Sequence, residues 1–217
     1  MADTYGDYIL RTGAQIDAWE NLFNRYLYES RFRDLDAPIV DLGPGRCAFT
    51  RQATDKIIAV DNSPAVVDHY KLRGIDIRLG SAVDLPFEDA TITGLYCCWL
   101  LEHLDSPIAC LAEVRRVLRP GGYTCFIVPS AASLGRGFYD DYTHIRPFTH
   151  MSMKQLAEDA GFSRYRTTFL FWTRGLRRFI PLLGEDRLMR VLATTDRVSQ
   201  RSRRLVNRQN LVFEAWA

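Results

Sequence analysis

The chain has 217 residues, 47% of them apolar and 25% charged, with a formal net charge of +2. That length builds one large domain whose core needs no disulfide or metal staple. The five cysteines form no CxxC pair and read as reduced core residues of a cytoplasmic protein; with no apolar leader and no apolar run of about 18 residues, neither a signal peptide nor a membrane span is predicted.

In chain order, Ile16, Trp19, Leu22, Phe23, Tyr26 and Leu27 recur at helical spacing. They predict an N-terminal helix over 12–34, ended by Pro38. The apolar run Ile39-Val40 opens a first strand over 38–42, with a helix to about 53 after it. A second strand is expected at 56–60. Ser63-Pro64 then caps a helix that ends near Gly74. Alternation over 75–79 gives a third strand, and a loop carries Leu85-Pro86-Phe87. The fourth strand falls at 92–98. Ser106-Pro107 starts a helix to Leu118, and a Pro-Gly-Gly turn leads to a fifth strand at 123–128. Residues 129–150 form a long polar-aromatic loop, too rich in Tyr, Phe, His and Arg to read as disordered. A helix at 152–160 ends at Gly161, and a sixth strand follows at 162–171. A basic helical segment covers 173–207, broken at Pro181 and Gly184, and a last strand lies at 211–216.

Alternating strands and helices imply an α/β fold with a parallel sheet covered on both faces. Right-handed crossovers place the turns after strands 1 to 4 along one edge, where ligands bind in such sheets. The first of these turns is Asp41-Leu42-Gly43-Pro44-Gly45. Glycines there let a ligand approach backbone N–H groups at a helix start. At the end of the second strand, Asp61 has the geometry to accept hydrogen bonds from two ribose hydroxyls. Together they predict a nucleotide-type cofactor. Gly43, Gly45 and Ala48 also fit the dinucleotide spacing of a dehydrogenase, although such an enzyme needs no carboxylate at Asp41.

The order of motifs resembles the class I S-adenosylmethionine-dependent methyltransferases of the small-molecule type. The matching stretches are Val40-Asp41-Leu42-Gly43-Pro44-Gly45, Val60-Asp61-Asn62-Ser63, Asp84-Leu85-Pro86-Phe87, Leu101-Glu102-His103-Leu104 and Leu118-Arg119-Pro120-Gly121-Gly122. The resemblance implies a Rossmann-like seven-stranded sheet, mostly parallel, with an antiparallel last strand inserted between strands 5 and 6. It implies S-adenosylmethionine as cofactor. Asp41, Gly43 and Gly45 would meet its amino acid part, Asp61 and Asn62 its ribose, and Ser81 and Ala82 its adenine. Leu100 would lie beside the donor methyl. The family usually has a third glycine where Cys47 stands, and often an acid where Ser81 stands.

Methyl transfer to a hydroxyl needs in-line alignment and a base. The loop Tyr139-Asp140-Asp141-Tyr142-Thr143-His144-Ile145-Arg146-Pro147-Phe148-Thr149 resembles a stretch of methyltransferases acting on sugars and glycans. It offers His144 as base, oriented by Asp141 or Asp140. Tyr139, Tyr142, Arg146 and His103 are the candidate substrate contacts. Asp140, Asp141, His144 and His150 match no metal spacing, so no metal is expected. The predicted activity is methyl transfer to a sugar or glycan hydroxyl. Alternatives are N- or C-methylation of another small metabolite or lipid, and a non-catalytic cofactor-binding module.

Residues 164–217 carry 12 arginines, no lysine and 4 acids. They read either as a solvated helical face or as a surface for an anionic partner. A phosphate-bearing or lipid-linked acceptor and peripheral contact with the inner face of an anionic membrane both fit. Nucleic acid is disfavoured, because aromatic residues are not interleaved with the basic ones as a stacking platform needs.

Overall fold

Seven strands form a single sheet in the order β3-β2-β1-β4-β5-β7-β6. The computed structural model describes residues 16–131, 135–170, 180–201 and 210–217. The expected helix start at 12–15, residues 132–134 of the long loop, and 171–179 and 202–209 of the basic segment lie outside the described residues. The strands are β1 (Ile39–Leu42), β2 (Ile57–Asp61), β3 (Ile77–Leu79), β4 (Ile92–Cys98), β5 (Leu118–Pro129), β6 (Arg164–Leu170) and β7 (Asn210–Trp216). β1 to β5 pair in parallel, and β7 runs antiparallel between β5 and β6. This is the Rossmann-like arrangement, with the last strand inserted as the motifs implied.

The helices start where local chemistry starts them. Helix α1 (Ala18–Leu27) is capped by Asp17, whose carboxylate accepts from the Glu20 N–H at 2.8 Å. It runs on into a π-turn at Tyr28–Phe32, where the Ser30 hydroxyl donates to the Tyr26 carbonyl. Ser63 and Ser106 cap α2 (Pro64–Lys71) and α3 (Pro107–Val117), each with proline in the first turn. A capping box between Thr149 and Ser152 starts α4 (His150–Asp159), two residues before the expected position. α5 (Ile180–Leu183) and α6 (Glu185–Arg201) complete the described helices. Gly184, at φ +72°, makes the break between them, whereas Pro181 is accommodated inside α5.

Alternate side chains of each central strand feed two apolar layers. Val40, Leu95, Phe126 and Phe213 pack against α3 and α4. Ile39, Tyr96, Ile127 and Val212 pack with α1 and with Leu188 and Leu192 of α6. The apolar side of α6 is therefore used by the core, and Arg187, Arg190 and Arg197 stay exposed. Four of the five cysteines are buried, as expected of small core residues. No helix among the described residues is long and apolar enough to cross a membrane.

α6 is also fastened by charge. Arg31 donates to Asp196 at 2.6 Å, and Tyr26 donates to the same carboxylate at 2.7 Å. Glu214, in the centre of β7, accepts from Tyr123 at 2.7 Å and from Arg166 through two bonds of 2.6 and 2.9 Å. The guanidinium of Arg31 lies 3.6 Å from Glu214.

Candidate active site

The site is built at the carboxyl edge of β1, β2, β4 and β5, where sheet order reverses between β1 and β4. After β1 the backbone takes left-handed conformations at Gly43, Gly45 and Cys47, with φ of +66°, +53° and +58°. The expected helix does not follow this turn. Successive turns and one 3-10 turn (Thr50–Gln52) replace it, because a left-handed residue interrupts α-helical hydrogen bonding. Any ligand at this turn therefore meets turn amides and not a helix N-terminus. The conformation also explains why glycine suits position 47: a side chain there carries strain that glycine avoids.

Asp41 is sealed beneath this turn. Its carboxylate accepts from the Thr50 N–H at 3.1 Å and the Thr50 hydroxyl at 2.6 Å. It holds the turn's shape, and at 2% exposure it does not present itself for direct ligand contact as expected. Burial raises its pKa from 3.8 to about 7; the two bonds from Thr50 oppose this, and the charge of Asp61 adds to it. The folded protein therefore holds this proton between about pH 4 and 7, where the unfolded chain has released it. The stability so gained is full below about pH 4 and is lost as pH rises through 7. Thermal melts of the ligand-free protein should show Asp41→Asn losing less stability than wild type between pH 5 and 8, by on the order of 2–4 kcal/mol. Parallel melting curves across that range would refute the assignment.

Asp61 ends β2 and accepts from the Ser63 N–H at 2.9 Å, which turns the chain into α2 and leaves Asn62 exposed between them. Ser81 and Ala82 occupy a tight turn closed by reciprocal backbone bonds between Ser81 and Asp84. The Ser81 hydroxyl already accepts from the Val83 N–H at 3.3 Å, so its acceptor capacity is partly used within the turn. Leu100 lies over the glycine turn: a Cβ added to Gly43 would sit 3.0 Å from it. Gly43 and Leu100 are thus brought together.

Trp99, also left-handed at φ +53°, stacks on Phe23 at 6.1 Å and donates to Asn210 at 3.1 Å. Sequence reasoning missed this residue, since contacts from α1 and β7 are what hold its ring.

Beyond Leu100 the chain makes a 3-10 turn, Leu101–His103, and meets the loop before α4. The Glu102 carbonyl accepts from the N–H groups of Ile145 and Arg146 at 3.1 and 3.3 Å. His103 and His144 face each other with ring centroids 4.8 Å apart. His144 Nδ1 bonds the Phe138 carbonyl at 2.6 Å. This carbonyl, and not Asp141 as expected, orients the ring; the nearest Asp141 oxygen is 4.0 Å from Nε2. Asp141 instead accepts from the Thr143 N–H and hydroxyl at 2.9 and 2.6 Å, bonds that pull its pKa down. Thr143 in turn holds His103 Nδ1, through its hydroxyl at 2.9 Å and its carbonyl at 3.2 Å. Burial lowers the pKa of His103.

Tyr139 and Tyr142, 61% and 89% exposed, project into solvent, and Arg146 is exposed too. Tyr139 reaches His144 only through Phe138, whose ring packs on both, and Arg146 is tied to the cluster by its backbone bond to Glu102. To the histidines the structure brings Glu102, which sequence reasoning quoted only as part of a motif. That carboxylate is fully buried, and beyond its own backbone N–H neither oxygen finds a hydrogen-bond partner. Burial pushes its pKa up to about 8; its own backbone N–H opposes this, and the charge of Asp141 adds to it. The signal available beforehand was an acid set among apolar residues, Trp99-Leu100-Leu101-Glu102-His103-Leu104. A shallow cavity of about 230 Å³ lies at the other edge of the sheet, by Pro38, Thr54 and Asp76, and contains none of these residues.

Comparison with known proteins agrees with this geometry. Residues 40–126 match the methyltransferase domain family. A probable S-adenosylmethionine-dependent methyltransferase of Mycolicibacterium smegmatis is 31% identical over 125 residues, 56% of this chain and 49% of the relative. A demethylmenaquinone methyltransferase of Symbiobacterium thermophilum is 32% identical over 118 residues, 48% of this chain and 47% of that protein. The chain spans about half the length of these curated relatives. Among solved structures, a SAM-dependent methyltransferase from Archaeoglobus fulgidus superposes with a TM-score of 0.68 at 19% identity, covering all of both chains. The matched core over residues 40–126, the order of its motifs and the fold are those of the class I S-adenosylmethionine-dependent methyltransferases.

Proposed function

We propose that the protein transfers the methyl group of S-adenosylmethionine to a hydroxyl of a small polar acceptor, in the first instance a sugar or glycan intermediate. One juxtaposition carries this reading: Leu100, which lies over the glycine turn, is two residues before Glu102 of the Glu102–His103–His144 cluster. When bound, the cofactor supplies an electrophilic sulfonium methyl. Asp61 would hold its ribose, with Asn62 alongside. The Gly43–Gly45 turn would take the methionine end, and the turn at Ser81 and Ala82 would face adenine. Leu100 shields the reacting carbon from water.

The acceptor sits towards the loop of Tyr139, Tyr142 and Arg146. Its proton leaves towards the cluster, where His144 Nε2 receives it. Asp141 supports the loop through Thr143 and, through it, His103. The exposed arginines of α6 suit an acceptor that carries phosphate or is linked to lipid, approached from the cytoplasmic side. A second reading, methylation of a quinone-type carbon, is favoured by the name of the Symbiobacterium relative.

The test is S-adenosylhomocysteine release across a panel of sugar, glycan and quinol acceptors. His144→Gln should lower hydroxyl methylation about 10²- to 10⁴-fold while S-adenosylhomocysteine affinity stays within about twofold. Unchanged turnover would remove His144 from the chemistry. Cofactor binding with no turnover on any acceptor would support a binding module instead.

A further inference from the structure

Glu102, His103 and His144 present ligand atoms that all lie within 4.8 Å of one another. Each imidazole is anchored by Nδ1 on a backbone carbonyl, Thr143 for His103 and Phe138 for His144. A carbonyl only accepts, so in each ring Nδ1 carries the proton and the lone pair lies on Nε2. This is how proteins orient histidines that bind metal: the far nitrogen is fixed by a carbonyl or carboxylate, and the near one is left to the ion. The third member is an acid without exposure and with no hydrogen-bond partner beyond its own backbone N–H. A buried carboxylate in that state needs a proton or a cation beside it. One of its oxygens lies 4.0 Å from His144 Nε2, within the spacing of two ligands about one ion whose bonds are near 2.1 Å. A second carboxylate waits at the mouth: Asp141 Oδ2 is 4.0 Å from the same nitrogen, while Thr143 holds its Oδ1.

We propose that Glu102, His103 and His144 bind one divalent cation of the manganese, iron(II) or zinc kind, with Asp141 as a fourth ligand and open positions for an acceptor oxygen. Two imidazoles with one or two carboxylates form a mixed nitrogen–oxygen set suited to these ions and poorly suited to calcium. The sequence spacing pointed away from metal because the ligands come from two loops distant in the chain. The mechanistic part of the inference rests on the methyl-transfer reading; the binding part does not. With the cation in place His144 is a ligand, and the bound hydroxyl becomes acidic enough to release its proton to water. The acceptor oxygen then forms the O–CH3 bond as the S–CH3 bond breaks, its electron pair staying on sulfur.

The experiment is a manganese titration of chelator-treated full-length protein, followed by electron paramagnetic resonance of the free ion and by elemental analysis. The expected result is about one ion per chain. His144→Gln and Glu102→Gln should each weaken binding at least tenfold, and manganese should raise the melting temperature of wild type but not of His144→Gln. His144 lies in a surface loop, so that variant keeps the question open to refutation even where Glu102→Gln fails to fold. No saturable binding, or equal binding by wild type and His144→Gln, would overturn the proposal. Two further readouts separate it from the functional reading. Methyl transfer that is indifferent to chelator and manganese leaves the activity standing and refutes the cation's role in it. Stoichiometric manganese binding without S-adenosylhomocysteine binding leaves the metal site standing and refutes the activity.

Discussion

Replacing Glu214 by alanine should destabilise the protein by about 3–5 kcal/mol, the cost typical of breaking a buried charge cluster by removing one partner. Its side chain is 1% exposed, and it accepts from Tyr123 and from both nitrogens of the Arg166 fork. It also faces Arg31, whose side chain is 5% exposed. Without Glu214, the Tyr123 hydroxyl loses its carboxylate partner, and Arg31 keeps one carboxylate, Asp196, beside its bond to the Ser30 hydroxyl. The strand carrying Glu214 joins β5 to the edge strand β6, so the loss falls on the attachment of that edge to the sheet. Calorimetric melts should show a drop of roughly 6–20 °C. Arg166→Ala, which removes a half-exposed partner, should cost about 1 kcal/mol or less. A Glu214→Ala melt within 2–3 °C of wild type, a limit of about 1 kcal/mol, would show that the cluster does not hold the sheet.

Asp61→Ala should weaken S-adenosylhomocysteine binding about 10²- to 10³-fold. Two charge-assisted hydrogen bonds of the kind proposed for Asp61 on the ribose hydroxyls would account for about 3–4 kcal/mol, and each 1.4 kcal/mol is tenfold. Asp61 also turns the chain by accepting from the Ser63 N–H, so alanine removes two roles at once. Asp61→Asn separates them, since its amide oxygen keeps the turn while the charge is gone. It should lie between, at roughly 10- to 50-fold, with an unchanged melting temperature in the absence of ligand. If Asn binds as wild type does, the charge is not used on the ribose. If Asn and Ala melt equally early, the effect belongs to the turn.

The sheet was legible because its signals are local. Ile92–Cys98 is a continuous apolar run, and it forms β4 within the predicted bounds. Serine followed by proline fixed the starts of α2 and α3 through side-chain caps that need no tertiary context. The place of β7 between β5 and β6 came from family resemblance, because periodicity carries no information about strand order. The helix predicted after the glycine turn failed at Cys47. A non-glycine residue gives no warning of a positive φ, and the bond from Thr50 to Asp41 that accompanies it spans nine residues.

The site was legible in parts. Gly43, Leu100, His103 and His144 are tied together on one edge through the Leu100 and Glu102 turns, and Asp61 ends the neighbouring strand β2 in its own turn. Glu102 was not singled out, because its burial comes from the turn after β4 and from the 138–148 loop folding onto it. The orientation of His144 by a carbonyl was equally hidden: a backbone acceptor leaves no mark in a sequence. The reach of Asp196 to Arg31 and Tyr26, across more than 160 residues, lies beyond any local pattern.

The most direct measurement of the central claim is a calorimetric titration of the wild-type chain with S-adenosylhomocysteine, run beside NAD and NADP. The glycine turn, Asp61 and the Leu100 contact predict one saturable site for S-adenosylhomocysteine and no binding of either dinucleotide. Dinucleotide binding, or no heat with S-adenosylhomocysteine, would contradict it.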